Sequence, residues 1–395
     1  MTGTETGTAA ETGTGAPAAA AADLLYSEAE NDLRAAVRSL LTDRCDPAAV
    51  IAGTESGRPY DADLWRALAA DMGTAGLLVP EKLGGQGATA REAAVVLEEL
   101  GRSAAPVPYL TSAVLAVEAL LGCGTDSADV TELLAGIASG AITGAFVVPL
   151  STAPGATPAI TVRLASDGTL EGRASGVAGV AGADVLLVPA EGPDGYGLHA
   201  VETTEPGVTV APQVSLDATR PVAEVTLAGV RARRLAGPDA AGAAVERALL
   251  AGAGLLASEQ LGLAEWCLAE TVRHTGERHQ FNRPVGSFQA LKHRLARLWL
   301  EIVSARAAAR YAADCLAQGN PDAPVAVAVA QATCATTAVH AAEECVQLHG
   351  GIGMTWEHPA HLYLKRAKSA EIALGTPGRH RSRLAEAADL PAPPG

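Results

Sequence analysis

The hydrophobic pattern of this chain changes twice, near residue 144 and near residue 238, and these changes restrict the fold more than any motif. Between them lie short Val- and Thr-rich runs such as AFVVPL, DVLLVPA and AEVTLAGV, separated by Gly, Pro and Asp. Runs that recur about every 8 to 12 residues with alternating polarity are typical of antiparallel strands. The pattern therefore predicts a β domain over residues 144–237.

Helical periodicity dominates on both sides of this region. Residues 25–143 begin with SEAENDLRAAVRSLL, whose acidic first turn after Ser27 is typical of a helix N-terminus. Residues 238–386 contain four helical segments in succession, and in the first of them apolar residues recur every three or four positions from Leu250 to Val272. The sequence predicts a mainly helical α+β protein, with an N-terminal helical domain, a middle antiparallel β domain and a C-terminal four-helix bundle.

Two terminal segments have almost nothing to bury. Residues 1–24 repeat Thr, Gly and Ala, and residues 387–395 end in LPAPPG. Such composition cannot offset the entropy of ordering the chain, so both segments are predicted to be disordered tails.

Charge and cysteine usage exclude several classes of partner. The chain has 29 basic and 44 acidic residues, a formal net charge of −15, which argues against nucleic acid or an anionic membrane surface. No signal peptide is evident, and no run approaches the length of a membrane span. The six cysteines show no CxxC spacing. We therefore expect a cytoplasmic protein with reduced, buried cysteines and without a metal site.

One stretch combines groups that suit an anionic, aromatic ligand: ERHQFNRPVGSFQALKH, from Glu277 to His293. Arg278 and Gln280 could hold phosphate while Phe281 covers a ring, at a turn between two helices. The alternative is a capped helical hairpin with a solvated arginine. A second stretch, QLHGGIGMTWEHP, ends a long helix with glycines that permit close approach of a ligand, although glycines also form plain helix caps.

Taken together, the two stretches resemble the acyl-CoA dehydrogenases, which are FAD-dependent flavoproteins. The text LWRALAADMGTAGLLVPEKLGG and the helical–β–helical order extend the resemblance over residues 25–386. TWEH and its continuation HLYLKRAKSAEIALG resemble a bacterial subgroup. The resemblance implies FAD contacts across a dimer interface by six residues, with a further contact from Thr376; the six are Arg278, Gln280, Phe281, Gln347, Gly350 and Gly351. Asn282 stands where the family usually has glycine.

The family reaction removes the α-proton of an acyl-CoA thioester while the β-hydride passes to the flavin. Electron-transfer flavoprotein is the expected oxidant, and dimers or tetramers are expected. The chain departs from this pattern at the base. One family position for the catalytic glutamate is Leu374 here, and the other, on the first bundle helix, is Gly252. Leucine and glycine cannot accept a proton.

The ring-facing half of the flavin site also departs from the family. VPLSTAPG replaces the usual Thr-Glu-Pro…Gly-Ser-Asp segment of the β domain. Gly176, Val177 and Ala178 fall where the family has Trp-Ile-Thr/Ser beside the isoalloxazine. The chain therefore keeps its cross-dimer contacts and has lost much of its own ring pocket.

Glu259 is the candidate substitute base, because it shares a helix face with Gly252 and has apolar neighbours that would raise a carboxyl pKa. A core glutamate satisfied by a neighbouring helix is the alternative. Glu246 is expected to be solvated, and Glu371 to belong to a charged face with Lys365 and Lys368. For two further groups, His349 and His358, cofactor or structural roles are favoured over proton transfer.

These observations leave two functions. One is an acyl-CoA dehydrogenase that either acts alone or serves as the base-lacking subunit of a hetero-oligomer, where it supplies the cross-dimer FAD contacts while another chain keeps the base and ring pocket. The other is a non-redox homologue that binds an acyl ligand or scaffolds a partner. The acyl group itself is left open.

Overall fold

The computed structural model describes residues 24–156 and 160–390. Of the predicted N-terminal tail, all but Leu24 lies outside the described residues. Of the predicted C-terminal tail, only residues 387–390 are described, and Ala387 is the last residue of a helix.

Eleven α-helices and ten strands are found in the described ranges. The helices are α1 (Glu28–Arg44), α2 (Pro47–Thr54), α3 (Ala62–Arg66), α4 (Ala90–Arg102), α5 (Val117–Gly122), α6 (Ala128–Ala138), α7 (Pro238–Glu277), α8 (Gln289–Ala317), α9 (Ala323–His349), α10 (Ala360–Ile372) and α11 (Pro377–Ala387). The strands are β1 (Gly144–Phe146), β2 (Val162–Leu164), β3 (Thr169–Ala178), β4 (Val185–Gly192), β5 (Gly195–Glu202), β6 (Val208–Pro212), β7 (Val222–Arg231), β8 (Arg233–Ala236), β9 (His279–Gln280) and β10 (Arg283–Pro284).

Helix α1 starts directly after Ser27, where the sequence predicts a helix N-terminus. Ser27 caps α1 through its hydroxyl, and Glu30 reaches back to the Ser27 backbone, so the capping box satisfies two orphan N–H groups. Thr89 and Glu92 repeat the same box at α4. A π-helical segment, Tyr109–Ala116, runs directly into α5 and is buried along its whole length.

The middle domain is one sheet with the strand order β6-β7-β3-β2-β4-β5-β8, and β1 pairs beside β4. Most neighbours are antiparallel, as predicted, whereas β1 and β2 run parallel to β4. Apolar residues from alternate positions of these strands form a separate core that includes Leu170, Leu186 and Val225.

The C-terminal bundle is organised around α7, which packs against α4, α8 and α9. Its contact with α4 is very close: a Cβ at Gly262 would lie 1.9 Å from the carbonyl oxygen of Glu98, and one at Gly101 would lie 2.1 Å from that of Glu259. Glycine is required at both positions because the two backbones touch. The predicted four-helix bundle is confirmed, and a fifth helix, α11, is an addition that the sequence analysis did not include.

The expectation that no apolar run approaches the length of a membrane span is wrong for two bundle helices. Pro238–Glu277 and Ala323–Met354 have apolar windows with a mean hydropathy of 1.4, a value reached because Ala, Val and Leu dominate them. About two-thirds or more of each window is buried inside the protein, at 67% and 72%. Burial on several sides accounts for their composition as core helices. The six cysteines are free, and all but Cys123 are buried.

Candidate functional site

The stretch after α7 is a two-residue β-hairpin rather than a plain helix–turn–helix corner. Gln280 pairs with Arg283 across the antiparallel strands β9 and β10. The two turn residues, Phe281 and Asn282, have φ angles of +55° and +62°. Consecutive positive φ values are typical of the type I′ turns that close such hairpins, and asparagine tolerates them better than most residues. This explains why Asn282 can replace a glycine here.

The hairpin presents polar and aromatic groups to solvent. Arg278, Gln280 and Phe281 are all exposed, Phe281 at 87%. Phe281 lies edge-to-face against Phe288, with ring centroids 6.1 Å apart. Arg278 has no ion pair with any carboxylate in the described part of the chain. A large exposed aromatic ring at a positive φ is strained, and such strain is typical of a binding element.

The second predicted stretch begins at the end of α9, which packs against the last turn of α7. His274, on the last turn of α7, stacks on His349, the last residue of α9, with ring centroids 4.2 Å apart. Gly350 and Gly351 follow directly and are exposed, with no atom within 4 Å of the position that a Cβ would take. Gln347 is also exposed. The last turn of α7, which leads into the hairpin, therefore contacts the end of α9, from which the other FAD contacts are predicted.

A separate group contains Thr376 together with Leu374 and Gly252, the two positions at which the resemblance implies a catalytic base. Thr376 is exposed and caps α11 by accepting a hydrogen bond from the Arg379 N–H at 3.2 Å. Two residues earlier, Leu374 is fully buried, and its Cδ1 lies 3.2 Å from the position of a Cβ at Gly252. The two base positions thus face each other. Leu115 fills the same space, 2.4 Å from that Cβ position, so no carboxylate could occupy it without displacement of a leucine.

The VPLSTAPG segment is held against this closed pocket by backbone hydrogen bonds. The Leu150 N–H donates to the Gly176 carbonyl at 2.9 Å, and the Leu374 N–H donates to the Leu150 carbonyl at 2.7 Å. Gly176, which the resemblance places where the family carries an aromatic ring beside the isoalloxazine, has a φ of +69° and nothing within 4 Å of its Cβ position. Gly176 therefore has no side chain with which to cover an isoalloxazine ring.

Glu259, the candidate base, lies in a different environment from the one predicted. It is 1% exposed and forms ion pairs with two arginines, Arg220 and Arg366, the latter at 2.8 Å. Burial alone would raise the pKa of Glu259, but the charges of both arginines outweigh it and lower the pKa to about 2. The predicted upward shift is wrong, because the sequence does not show that both arginines fold onto this face of α7. The alternative of a core glutamate satisfied by neighbours accounts for the contacts.

The remaining carboxylates and histidines have structural partners. Glu246 is not simply solvated, since it accepts the Gly155 N–H at 2.6 Å and holds the end of VPLSTAPG. Glu371 lies 3.7 Å from Lys368, as expected of a charged face. Lys365 instead lies over the ring of Trp356. Both predicted histidines contact Glu270, and these three residues form a cluster that the sequence analysis missed; its members are Glu270, His349 and His358.

A cleft of about 520 Å³ lies between the N-terminal domain and the bundle. Leu78, Leu250 and Leu316 contribute apolar walls, and Glu118 pairs with Arg247 at 2.6 Å on its rim. Burial, the largest influence, raises the pKa of Glu118 despite the arginine. None of the predicted site residues lines this cleft.

The domain order, the arginine–aromatic hairpin and the open glycines at the end of a bundle helix agree with the resemblance to FAD-dependent dehydrogenases. Comparison with known proteins identifies the family. The acyl-CoA dehydrogenase N-terminal domain model matches residues 27–141, and the C-terminal domain model matches residues 242–388. The chain belongs to the acyl-CoA dehydrogenase family, and FAD is its cofactor, as the resemblance implied.

Several relatives are similar over nearly their whole length. Acyl-CoA dehydrogenase IpdE2 of Mycobacterium tuberculosis is 35% identical over 352 residues, covering 89% of this chain and 95% of that protein. Among solved structures, the ChsE4–ChsE5 complex from Mycobacterium tuberculosis has a TM-score of 0.82 at 31% identity, covering 94% of this chain and 100% of that one. A variant of the Tcur3481–Tcur3483 steroid ACAD has a TM-score of 0.80 at 31% identity, covering 92% and 98%.

The residues present fit one half of an FAD site. Exposed Arg278, unpaired within the described residues, and the open backbone at Gly350 and Gly351 suit a diphosphate, for which an arginine fork and free N–H groups are the usual partners. The pocket around Leu374, Leu115 and Gly252 is packed with apolar side chains instead.

Proposed function

We propose that this chain is the supporting subunit of a hetero-oligomeric acyl-CoA dehydrogenase. It supplies Arg278, Gln280, Phe281, Gln347 and the glycines after α9 to an FAD whose reactive ring lies in a partner chain. That partner carries the catalytic glutamate. The α,β-desaturation of an acyl thioester then occurs in the partner's pocket.

The observation that carries this proposal is the contrast between the two halves of the site. The groups predicted to contact FAD across an interface are exposed and open. The two positions from which the family provides a base are Leu374 and Gly252, facing each other with Leu115 between them. Proton abstraction needs a carboxylate within hydrogen-bond reach of the α-carbon, and none is present there. Two of the similar structures are complexes named for two different chains, which agrees with a mixed assembly.

In this assignment the protein residues bind and orient the cofactor. The exposed guanidinium of Arg278 neutralises the diphosphate, the Gln280 amide donates to the same group, and the Phe281 ring packs beside the adenosine end. FAD supplies hydride acceptance when it is bound. Thr376, on the loop with Leu374, is the further residue of this chain that we propose to contact the cofactor. Electron-transfer flavoprotein is the proposed oxidant, and the cytoplasm is the proposed location.

The acyl group is proposed to be steroid-derived, because one similar structure is described as a steroid ACAD. A second candidate function rests on the cleft of about 520 Å³ between Leu78, Leu250 and Leu316. A chain that binds an apolar ligand there without flavin turnover would be a non-redox homologue.

The test compares flavin content in two preparations. The chain is purified alone and after co-expression with an acyl-CoA dehydrogenase chain that carries the missing glutamate. Flavin is expected only in the mixed assembly, where a steroid-derived acyl-CoA thioester should bleach its absorption. Absence of flavin from both preparations would contradict the proposal and favour the non-redox homologue. Flavin bound and bleached by the chain alone would contradict the supporting role.

A matched pair of substitutions locates the contact. Arg278→Lys keeps the charge but removes the planar fork, so FAD affinity of the mixed assembly should fall about tenfold. Arg283→Lys is the control, because Arg283 lies on the facing strand with its guanidinium over Phe288 at 3.8 Å. Equal FAD affinity in the two variants would refute the assigned role of Arg278.

A further inference from the structure

The cleft of about 520 Å³ between the N-terminal domain and the bundle belongs to neither half of the flavin site. Leu78 and Ala88 line it from the N-terminal domain, and Leu250 and Leu316 line it from the bundle. All four side chains are only partly buried, although each packs against the hydrophobic core. Apolar surface left open in a space of this size is typical of a site for a small organic molecule, since such sites commonly measure about 300 to 1,000 Å³.

Two charged residues line the same cleft. Arg247 on α7 donates through its Nε to the Oε2 of Glu118 on α5, at 2.6 Å. The Glu118 side chain is 11% exposed, and that of Arg247 is 51% exposed. The second oxygen of Glu118 and the two terminal nitrogens of Arg247 form no hydrogen bond within residues 24–156 and 160–390. The free Glu118 oxygen is not enclosed by protein atoms, so it is open to a ligand.

The pair offers a hydrogen-bond acceptor beside hydrogen-bond donors. A carboxylate oxygen only accepts, and a guanidinium nitrogen only donates. A hydroxyl group satisfies both, because its O–H donates to Glu118 while its oxygen accepts from Arg247. An anionic head group would be repelled by Glu118 and a cationic one by Arg247, so a ligand of either charge is disfavoured. The complementary ligand has an apolar body and a neutral head group.

The cleft is separate from the closed pocket at Gly252. Ala251 lines the cleft, whereas Gly252 faces Leu115 and Leu374. Successive residues of an α-helix point about 100° apart around the helix axis, so the two spaces lie on different faces of α7. A molecule in the cleft therefore contacts neither of the two positions at which the resemblance implies a base.

We propose that this cleft is a second ligand site and that its ligand is a neutral apolar alcohol. The hydroxyl lies between Glu118 and Arg247. The hydrocarbon body packs against Leu78, Leu250 and Leu316, so the ligand joins the N-terminal domain to the bundle. None of the predicted flavin contacts lines the cleft, and the site therefore operates beside the proposed flavin function without depending on it.

Three probes with the same number of carbon atoms test the head group: 1-octanol, octanoate and octylammonium. Their dissociation constants are measured by ligand-observed NMR titration of the purified full chain at about pH 7.5, where the acid and the amine are both charged. 1-Octanol should bind, and each charged probe should bind at least about tenfold more weakly. Absence of 1-octanol binding, or equal affinities for the three probes, would overturn the proposal.

Leu250→Trp tests the location of the site. The indole would fill the space assigned to the hydrocarbon body, so the affinity for 1-octanol should fall about tenfold or more. Val272→Trp is the matched control, because Val272 lies on the same helix outside the cleft and is 51% exposed. If Leu250→Trp does not fold, Leu78→Trp fills the cleft from the N-terminal domain and should have the same effect. Wild-type affinity in the cleft variant that folds would overturn the proposal.

Glu118→Gln tests the polar pair. Loss of the carboxylate leaves Arg247 without its counter-charge, so the affinity for octanoate should rise at least about tenfold relative to that for 1-octanol. Glu132→Gln is the control, since Glu132 is 76% exposed and lies outside the cleft. If Glu118 were only structural, its substitution would change the affinities for both probes by the same factor, and this result would overturn the assigned hydroxyl contact.

The last measurement repeats the 1-octanol titration on the mixed assembly with FAD bound. The dissociation constant should lie within about twofold of that of the chain alone, because sites that share no contacts have no coupling free energy. Release of FAD as 1-octanol saturates the assembly would overturn the separation of the two sites. An assembly without flavin would contradict the supporting-subunit function, whereas the titration of the chain alone would still decide whether the cleft binds an alcohol.

Discussion

Glu259 shows how neighbouring charges determine the role of a single residue. Its carboxylate receives Arg366 at 2.8 Å and also pairs with Arg220, while Arg366 reaches Thr219 at 2.9 Å. Breaking a buried pair is expensive because the remaining charges stay buried. The network joins the β domain to α7 and α10, so we assign Glu259 to the packing of domains rather than to proton transfer.

This assignment predicts the behaviour of Glu259→Gln. Free energy of unfolding, measured by urea titration, should fall by about 3 to 5 kcal/mol because two guanidinium groups lose their principal counter-charge. Asp63→Asn is the control, since the Asp63–Arg66 pair is exposed and its loss should cost less than about 0.5 kcal/mol.

The same residue predicts a dependence of stability on pH. Wild type, with the pKa of Glu259 lowered to about 2, should lose stability as the pH falls from near 4.5 toward 2, and Glu259→Gln should lose less. A stable variant that no longer supports acyl-CoA-dependent bleaching would instead identify Glu259 as the base.

At the scale of elements, the β-hairpin after α7 was not predicted from the sequence, which indicated only a turn between two helices. Its strands contribute only two residues each, too few for an alternating pattern to appear. The turn depends on Phe281 and Asn282 at positive φ, and on the Val285 N–H, which donates to the Arg278 carbonyl at 2.8 Å. Local stability of this element should therefore depend on the residue at position 282.

Substitution at this turn tests its geometry. Asn282→Val should destabilise the hairpin by about 1 to 2 kcal/mol, because a β-branched residue resists positive φ. Hydrogen exchange of the Val285 amide should accelerate about tenfold in Asn282→Val and stay near wild type in Asn282→Gly. The Cys45 amide, bonded to Leu41 at the end of α1, serves as the internal control. Equal exchange of the Val285 amide in the two variants would exclude the positive-φ turn.

At the scale of the whole molecule, the bundle exposes an apolar face. Trp299, Leu300 and Val303 on α8 are all at least 36% exposed, and Val325 and Val329 on α9 are exposed as well. A cluster of large apolar side chains on one helix face is typical of a subunit interface. The proposed cross-dimer FAD contacts require such an interface. We expect burial of these apolar side chains, rather than ion pairs between subunits, to stabilise the assembly.

Trp299→Glu should dissociate the assembly. A charge in an apolar interface is costly to desolvate, so light scattering should show loss of the oligomer with the helical content unchanged. Val214→Glu is the control: Val214 is fully exposed on a loop of the β domain, and its substitution should leave the mass unaltered. An unaltered mass in Trp299→Glu would show that this face of α8 does not form the interface.

The sequence by itself determined the domain order, the bundle and the family. These depend on hydrophobic periodicity and on short motifs, and both are set by residues that lie close together in the chain. The sequence also shows that Leu374 and Gly252, the two positions at which the resemblance implies a base, carry no carboxylate.

Only the tertiary structure decided how these positions are used. It placed Arg220 and Arg366, which are 39 and 107 residues from Glu259, on the same carboxylate and so reversed the predicted direction of its pKa shift. It closed the Gly252–Leu374 pocket with Leu115, and it gathered His349 and Glu270 into one cluster. The physical reason is that pKa values and pocket shape depend on groups brought together by packing, and sequence separation carries no information about those distances.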